Sequence, residues 1–311
     1  MNVAYIFNDD YVSQFLTVTN SIILNELPDK QKSIIFYINY FGDIKNISLL
    51  QELSRTHFPN NSFYFKHIPS EFPSLFKKIY SCYDFESAHR QIQTCSVYCR
   101  FYLDEIWHDF DGVFLYLDLD LIVKGPISNL FGSLDDKFIF HSPACTKLKQ
   151  SINNNFTKKL NYIYDKYQEE FLKFKKEKDY LCSKDYNLQS IAFNGGVWLV
   201  DIKKYRDSNI KSYCEFLMIC HSREKLVNHN DQGIMNVVFY ENFGKINSLW
   251  NCLDYGWQNF RNIYHIKKRL EEGYIIHYNG EVKPWTQKGQ IGYFKEGGSL
   301  WKSFEIKHDI S

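Results

Sequence analysis

The chain has 311 residues and a formal net charge of +1, so it is long enough to bury a large core. A nearly neutral chain carries no whole-protein field that would demand nucleic acid as a partner. The segment Met1–Phe7 lacks the basic start and small-residue cleavage site of a signal peptide, and no apolar run approaches the roughly 20 residues that span a bilayer. The eight cysteines include no Cys-x-x-Cys pair, which favours free thiols in a reducing compartment and predicts a cytoplasmic protein.

Strand-like and helix-like patterns alternate in the first part of the chain. The predicted strands are Val3–Phe7, Ile34–Ile38, Ser62–Ile68 and Gly112–Val123. The predicted helices are Tyr11–Leu27, Ile44–Phe58 and Gln91–Phe110. This alternation predicts an α/β domain with a mostly parallel central sheet and right-handed crossovers. Ligands of such sheets bind beyond the carboxyl ends of the strands, so Asn8–Asp10 and Asp118–Asp120 could face one ligand.

Two carboxylates stand one residue apart in the apolar segment Tyr116–Val123. Side chains alternate along a strand, so Asp118 and Asp120 are expected to point the same way. Two like charges on one face repel each other, and burying them is costly. A divalent cation bound between them would offset both the repulsion and the cost of burial. Carboxylate oxygens suit Mg²⁺ or Mn²⁺ rather than a soft metal. The Asp-x-Asp pattern is weak on its own, and the segments that follow it have to support the metal site.

Residues 146–190 differ in composition, being rich in Lys and Asn and short of Gly and Pro. Apolar side chains recur there at spacings of four and three: Phe156, Leu160, Ile163, Tyr167, Phe171 and Phe174. This stripe predicts an amphipathic helix, and the favoured interpretation is a solvated helix docked on the core. The alternatives are a lid over an acceptor site and an arm that rests on an anionic membrane surface.

Three later segments carry polar residues next to glycine or at a helix start. Phe193–Val197 contains Asn194 before two glycines, which implies a close approach of the backbone to a ligand or tight packing. Asn230 or Asp231 could cap the helix that follows them. His277 lies in His-Tyr-Asn-Gly-Glu-Val-Lys-Pro-Trp, and an isolated histidine of this kind is more often a half-buried structural residue than a ligand.

Several segments, taken in chain order and together with Arg100, resemble the family 8 retaining glycosyltransferases. These segments lie at 8–11, 116–120, 193–197, 230–232 and 277–285. The chain looks similar to bacterial lipooligosaccharide α-galactosyl- and glucosyltransferases over residues 1–285. The resemblance implies a single Rossmann-like nucleotide-sugar-binding domain of the GT-A type at 1–285, with a helical insertion at 146–190. Residues 286–311 would form a C-terminal extension packed on that domain.

The resemblance also implies a metal site and a diphosphate site. Asp118, Asp120 and His277 would coordinate Mn²⁺ (or Mg²⁺), which would bridge the two phosphates of a UDP-sugar. Lys283 and the backbone at Gly280 would hold the diphosphate, because only glycine lets the chain come that close.

The remaining matched positions would hold the nucleoside and the donor sugar. Tyr11 would stack on the uracil, and Asn8 and Asp10 belong to the same loop. Arg100 would reach the diphosphate or the donor sugar, with a surface ion pair as the alternative. A last group would surround the donor sugar at the reacting carbon: Asn194, Asp231 and Gln232.

Three features depart from the family pattern. The family usually has an acid where this chain has Asn8, and often Asn where this chain has Asp10. Relatives often have an acid at the position of Gly233. Only 26 residues follow Trp285, and they lack the long basic tail of some relatives, so at most peripheral membrane contact is expected.

The resemblance implies a metal-dependent, retaining transfer of galactose or glucose from a UDP-hexose donor to a hydroxyl of a glycan or glycolipid acceptor. The expected setting is the synthesis of bacterial surface polysaccharide or lipooligosaccharide in the cytoplasm, with the inner face of the membrane as a possible site. One alternative is a UDP-sugar-binding protein that has lost catalysis. An Asp-based Mg²⁺-dependent phosphatase is less favoured, because the second half of the chain lacks the acidic cluster that such an enzyme needs.

Overall fold

The computed structural model describes residues 1–81, 96–253 and 263–308. The strands in these ranges are β1 Asn2–Phe7, β2 Ile35–Tyr40, β3 Ser62–His67, β4 Val113–Leu117, β5 Leu121–Val123, β6 Phe140–Lys147, β7 Ile191–Phe193, β8 Val197–Asp201, β9 Gly244–Ile246 and β10 Ile275–His277. The central sheet has the order β3-β2-β1-β4-β8-β6-β7, with β9 paired to β6. The pairs among β1, β2, β3 and β4 are parallel, and so is β6 with β9. The predicted mixed α/β fold with a mostly parallel sheet is confirmed.

The helices lie on both faces and at the ends of this sheet. They are α1 Val12–Asn25, α2 Ile47–His57, α3 Ile68–Glu71, α4 Pro73–Ser81, α5 Leu103–Ile106, α6 Ile127–Phe131, α7 Phe156–Lys166, α8 Gln168–Phe171, α9 Lys175–Cys182, α10 Ile202–Arg206, α11 Ile210–Arg223, α12 Asn230–Val238, α13 Ile263–Glu272 and α14 Lys295–Phe304. None of the helices in the described ranges is long and apolar enough to cross a membrane.

The sheet is covered on both faces, which explains why β1 is apolar almost throughout. Val3, Tyr5 and Phe7 pack into one core cluster, while Ala4 belongs to the cluster on the other face. Both clusters are built largely from aromatic side chains, so much of the high aromatic content is ordinary core.

The prediction of one continuous strand at Gly112–Val123 is wrong. Strand β4 ends at Leu117, which pairs with Val197, and the chain then turns before β5. Strand β5 pairs antiparallel with β10, so that Leu121 lies opposite His277. A change of pairing partner requires a change of chain direction, and this turn contains Asp118 and Asp120. The alternation of a single strand therefore does not bring the two carboxylates together; the turn does.

The prediction of one helix across Phe156–Phe174 is also wrong in part. The segment folds as α7, the short α8 and a turn of 3-10 helix at Leu172–Phe174, followed by α9. The predicted stripe is nevertheless buried, since Phe156, Leu160, Ile163, Phe171 and Phe174 join the core cluster and Tyr167 is half-buried. The docked-helix interpretation fits this packing.

Two further boundaries differ from the predictions. Residues 91–95 of the predicted helix Gln91–Phe110 lie outside the described residues, and the rest forms a helical turn at 96–99, a 3-10 turn at Arg100–Tyr102 and α5. Helix α12 begins at Asn230 after His229, so neither Asn230 nor Asp231 occupies the capping position. Both breaks lie beside residues that line the cavity described below.

The C-terminal part of the described chain packs against the domain. Trp301 of α14 is 1% exposed, and its ring contacts those of Tyr278 and Trp285. The Tyr278 hydroxyl donates a hydrogen bond to the carbonyl of Gly297 at 2.8 Å. These contacts attach α14 to the segment that carries His277 and Lys283.

Three cysteines in the described part of the chain have low thiol reactivity. Cys182, Cys214 and Cys220 are thiols, and burial raises the pKa of each above its ordinary value. A raised pKa lowers the thiolate fraction, which makes these side chains poor nucleophiles. Cys82 and Cys95 lie outside the described residues.

Candidate active site

A cavity of about 410 Å³ opens at the carboxyl ends of β1 and β4. Its lining comes from five places: the residues after β1, the helical turn at 96–100, the turn after β4, the Gly195–Gly196 turn and the start of α12. Lys283 closes one side. This is the position at which open α/β sheets bind ligands.

One wall of the cavity carries Asp118 and Asp120, and together with the adjacent His277 these three potential metal ligands are here called the metal wall. Each of Asp118, Asp120 and His277 offers one ligand atom, and these atoms lie within 4.8 Å of one another. The Nε2 atom of His277 lies 2.9 Å from Oδ1 of Asp120 and 3.9 Å from Oδ2 of Asp118. Two carboxylates and an imidazole form a donor set that suits Mn²⁺ or Mg²⁺.

His277 is oriented from behind by Asn251. Its Nδ1 lies 2.9 Å from Oδ1 of Asn251, and an amide oxygen can only accept, so Nδ1 carries a proton. In this tautomer Nε2 is the nitrogen left for a metal, and a fixed ring of this kind is usual behind metal-binding histidines. No sequence motif points to Asn251, because it reaches the site from the separate 3-10 turn at Ser248–Asn251.

Lys283 completes the metal wall. Its Nζ lies 2.7 Å from Oδ2 of Asp120 and donates to the carbonyl of Tyr278 at 2.7 Å. Burial raises the pKa of Asp120, but the adjacent His277 and Lys283 outweigh burial, and the pKa is lowered overall. Asp120 is therefore ionised and able to bind a cation at neutral pH.

The opposite wall, here called the sugar wall, is organised by the buried Arg100. Its Nη1 donates to the carbonyl of Gly195 at 2.7 Å and lies 3.0 Å from Oδ2 of Asp231. Its Nη2 donates to the hydroxyl of Tyr116 at 2.9 Å and lies 3.4 Å from Oδ1 of Asp118. The guanidinium carbon lies 4.5 Å from the centre of the Tyr116 ring. The alternative of a surface ion pair for Arg100 is wrong.

Asp231 is a buried carboxyl with an unusual pKa. Burial raises its pKa to about 6, and the charge of Asp118 adds to the increase, whereas Arg100 opposes it. Tyr116 was not singled out in the sequence, although it lies two residues before Asp118, the spacing that places side chains on one face of a strand.

An amide network joins the two walls. The Oε1 atom of Gln232 accepts from Nδ2 of Asn194 at 2.9 Å and from the backbone N–H of Gly195 at 3.0 Å. The Oδ1 atom of Asn194 accepts from the N–H of Gly196 at 3.0 Å and from Nδ2 of Asn251 at 3.1 Å. Asn251 therefore touches the sugar wall with its nitrogen and the metal ligand His277 with its oxygen.

The residues expected at the nucleoside lie at the end of β1. Asn8 and Tyr11 line the cavity, and Nδ2 of Asn8 donates to Oδ2 of Asp10 at 3.1 Å. Burial raises the pKa of the Tyr11 hydroxyl, and the nearby Asp120 adds to the effect. The charge of Asp10 also raises the pKa of Tyr11, although neither Asp10 nor Gly280 belongs to the described cavity lining, and Gly280 is buried.

The structure therefore brings most of the predicted site residues into one place. The cavity is lined by Asn8, Tyr11, Arg100, Asp118, Asp120, Asp231, Gln232 and Lys283. Asn194 and His277 contact members of this set directly. The cavity lining also includes Ser96, Val97 and His229, which had not been proposed as site residues.

Two glycines explain how the walls fit together. A Cβ on Gly196 would overlap Cε1 of His277 and Oδ2 of Asp118, so the predicted close approach of the backbone is to the metal wall. A Cβ on Gly233 would overlap the carbonyl oxygen of Asn228. The turn before α12 therefore leaves no room for a side chain at position 233.

Comparisons with known proteins show that the chain is similar to glycosyltransferases. The family model for glycosyl transferase family 8 matches residues 2–289. Glycosyltransferase 8 domain-containing protein 1 of Danio rerio is 26% identical over 212 residues, which make up 66% of this chain and 54% of that protein. This chain thus spans just over half the length of that relative. A probable galacturonosyltransferase-like protein of Arabidopsis thaliana is 24% identical over 290 residues, 92% of this chain and 75% of that protein.

A solved structure shows the same fold over the whole length. The galactosyltransferase LgtC, in complex with donor and acceptor sugar analogues, superposes with a TM-score of 0.66 at 17% identity. The match covers 99% of this chain and 98% of the other. At this level of identity the likeness establishes the architecture alone.

Proposed function

The chain belongs to glycosyltransferase family 8, and we propose that it transfers galactose or glucose from a UDP-sugar to a hydroxyl of a glycan acceptor, with retention of configuration. The observation that carries the proposal is the grouping of Asp118 and Asp120, which line the cavity, with the adjacent His277. The opposite wall of that cavity presents Arg100 and Gln232. Family membership argues against the phosphatase alternative.

Asp118, Asp120 and His277 would hold Mn²⁺ or Mg²⁺. A divalent cation bound there would stabilise the negative charge that builds up on the departing nucleoside diphosphate. Lys283 is positioned to share that task, because its ammonium already lies against the metal wall. The backbone at Gly280 would support the diphosphate.

Asn8, Asp10 and Tyr11 would hold the uracil at the end of β1. The amide of Asn8 can both donate and accept, so it can replace the acid that relatives use against the base edge. The Tyr11 ring would supply a stacking surface for the base. Arg100 would contact the diphosphate or the donor sugar from the sugar wall.

Retention requires either a nucleophile on the face of the sugar opposite UDP or attack from the same face. Gln232 is a poor nucleophile, and its Oε1 already accepts two hydrogen bonds. Asp231 is paired with Arg100 at 3.0 Å, and Gly233 has no side chain. We therefore favour a front-face route, in which the acceptor hydroxyl passes its proton to the leaving phosphate oxygen. Asp231, Gln232 and Asn194 would hold the substrates and stabilise the oxocarbenium-like charge; a glycosyl adduct trapped on Asp231 would contradict this route.

The acceptor and the cellular setting are inferred from the family resemblance. We propose a glycan or glycolipid acceptor in the synthesis of bacterial surface polysaccharide or lipooligosaccharide. The reaction would take place in the cytoplasm, with at most peripheral contact at the inner face of the membrane. The similarity to LgtC, named as a galactosyltransferase, supports a hexose donor.

UDP release from a panel of UDP-sugars tests the proposal. The panel contains UDP-galactose, UDP-glucose and UDP-galacturonic acid, each with Mn²⁺ and then with EDTA, in the absence of acceptor. We expect slow release from one UDP-hexose that stops with chelator, and the His277→Ala variant should lose it. His108→Ala is the matched control, since the His108 side chain is 65% exposed and does not belong to the described cavity lining.

The same panel separates the competing readings. Metal-dependent binding of a UDP-sugar without release, also in the presence of simple glycan acceptors, would support the sugar-binding protein that has lost catalysis. Failure to bind any UDP-sugar would contradict the glycosyl-transfer proposal itself.

A further inference from the structure

The segment between α11 and α12 leads directly into two residues of the sugar wall. Within it, His229 and Asn230 have φ values of 57° and 45°, so two successive non-glycine residues adopt the left-handed conformation. Each such residue costs about 1–2 kcal/mol, and this strain persists only where the surroundings impose it. Asp231 and Gln232 follow immediately. Whatever holds the turn at 226–230 therefore also sets the position of these two side chains.

The side chain of His221, on α11, holds this turn through hydrogen bonds. Its Nδ1 accepts hydrogen bonds from the backbone N–H groups of Leu226 at 3.0 Å and Val227 at 3.2 Å. Because Nδ1 accepts, the imidazole proton must be on Nε2, which lies 3.3 Å from Oδ1 of Asn230 and donates to it. Burial lowers the pKa of His221, which keeps the ring in the neutral form that this pattern needs.

The other side of the turn is clamped by α12 and by the insertion. The backbone N–H of Asn228 donates to the carbonyl of Ser151 at 2.8 Å. Gly233 packs against the carbonyl oxygen of Asn228, where no larger residue fits. Contacts from three elements thus hold the turn. The side chain of His221 hydrogen-bonds both ends of the turn, at Leu226 and Val227 and at Asn230.

We propose that His221 is a positioning residue for glycosyl transfer. It keeps the strained 226–230 turn in the conformation that sets Asp231 against Arg100 and Gln232 against Asn194. His221 is not among the described residues that line the cavity, so it acts through the turn and not on the substrate. This inference rests on the proposed function.

A specific kinetic consequence follows from where the substrates would bind. The groups expected to hold UDP lie on other elements, at Asn8, Tyr11 and Lys283. Loss of the His221 contacts should therefore lower kcat while leaving the affinity for UDP unchanged. A misplacement of catalytic groups by about 1 Å can cost about 100-fold in rate.

Two variants of His221 and one control test the proposal in the full-length protein with Mn²⁺. His221→Phe removes both ring nitrogens. We expect kcat for UDP release to fall about 10- to 100-fold, with an unchanged Kd for UDP. His221→Asn keeps an acceptor near the position of Nδ1 and should recover most of the lost rate. The control is His141→Phe, since His141 is also buried and hydrogen-bonds the backbone of Asp135 outside the cavity lining.

Several results would overturn the proposal. A His221→Phe variant with wild-type kcat, or an Asn variant as impaired as the Phe variant, would remove the positioning role. An equal loss of kcat in folded His141→Phe would show a general effect of losing a buried histidine. If His221→Phe does not fold, His221→Gln keeps a polar group near Nε2 but loses the acceptor at Nδ1 for Leu226 and Val227, and a wild-type kcat in that variant would overturn the role. A wild-type protein without any transfer would instead refute the proposed function, and the positioning role with it.

Discussion

Two carboxyl groups face the same cavity, and their pKa values move in opposite directions. Burial raises the pKa of both, but His277 and Lys283 together reverse the effect for Asp120, whose pKa is lowered. Asp231 has only Arg100 as an opposing cation, and its pKa rises to about 6. The metal wall therefore keeps a carboxylate charged even in acid, while the sugar wall makes a carboxylate easier to protonate.

The difference reflects how complete each wall is within the protein. On the sugar wall, polar groups already have protein partners, because Arg100 binds Gly195, Tyr116 and Asp231. On the metal wall, Asp118 and Asp120 turn their oxygens toward one point together with Nε2 of His277. The first wall is preorganised by hydrogen bonds, and the second would suit a ligand that brings positive charge, as we propose.

The largest effect is expected from a change on the metal wall. Asp120→Asn removes a metal ligand and the partner of both His277 and Lys283, so UDP release with Mn²⁺ should fall about 1000-fold. The matched control is Asp207→Asn, which changes an exposed ion pair with Lys203 and should leave the rate unchanged. Equal rates for Asp120→Asn and wild type would remove Asp120 from the metal site.

A change on the sugar wall should cost less but still act on the rate. Arg100→Lys keeps the charge but cannot span Gly195, Tyr116 and Asp231 at once, since Lys lacks the planar fork of Arg. The resulting misplacement of the sugar wall by about 1 Å should lower kcat about 100-fold. All three proposed metal ligands are kept, and the loss of the 3.4 Å contact between Arg100 and Asp118 is a small perturbation, so the Mn²⁺ concentration that gives half-maximal activity should move much less than kcat. A shift in that concentration, with kcat preserved, would contradict the division into two walls.

The raised pKa of Asp231 predicts a pH dependence of stability. Its pKa of about 6 in the folded protein lies above the ordinary value of 3.8 for an aspartate, so the native state binds more protons than the unfolded state between these values. Stability is therefore lost as the pH rises through this window, by up to about 3 kcal/mol. Asp231→Asn cannot ionise and should lack this loss. Urea unfolding of both proteins in EDTA, at pH values below and above the window, measures it; a constant difference between the two would contradict the raised pKa.

The smallest effect is expected where the two walls meet. Gly196→Ala would push its Cβ against His277 and Asp118, and the displaced ligands should weaken Mn²⁺ binding about tenfold. Gly132→Ala is the control, because the nearest atom to its Cβ would be the carbonyl oxygen of Ser128 at 3.4 Å. Titration of Mn²⁺ against the activity of each variant makes the comparison. Unchanged metal affinity in Gly196→Ala would show that the metal wall can shift without loss.

Much of the fold could be predicted from the sequence because it is encoded locally. Alternating apolar strands and amphipathic helices specify the sheet, and the apolar stripe of 156–174 gave the buried face correctly. The breaks in these elements were missed, since they depend on partners distant in the chain. Strand β4 stops at Leu117 because the next segment pairs with β10, more than 150 residues away.

The same reasoning explains which site residues were found. Asp118, Asp120 and His277 stand in segments that resemble a family pattern, and the structure brings them together. Asn251 and His221 lie in no such segment, and they matter only through contacts formed in three dimensions. Residues that hold other residues in place have no signature in a single sequence, whereas those that meet a charged ligand often do.

The account depends most on the metal wall being a site for a cation that carries UDP. Calorimetric titration of UDP into the wild-type protein, once with Mn²⁺ and once with EDTA, tests it directly. We predict binding of one UDP per chain with Mn²⁺ and a loss of most of the affinity with EDTA. Binding of equal strength under both conditions, or no binding with Mn²⁺, would contradict the account.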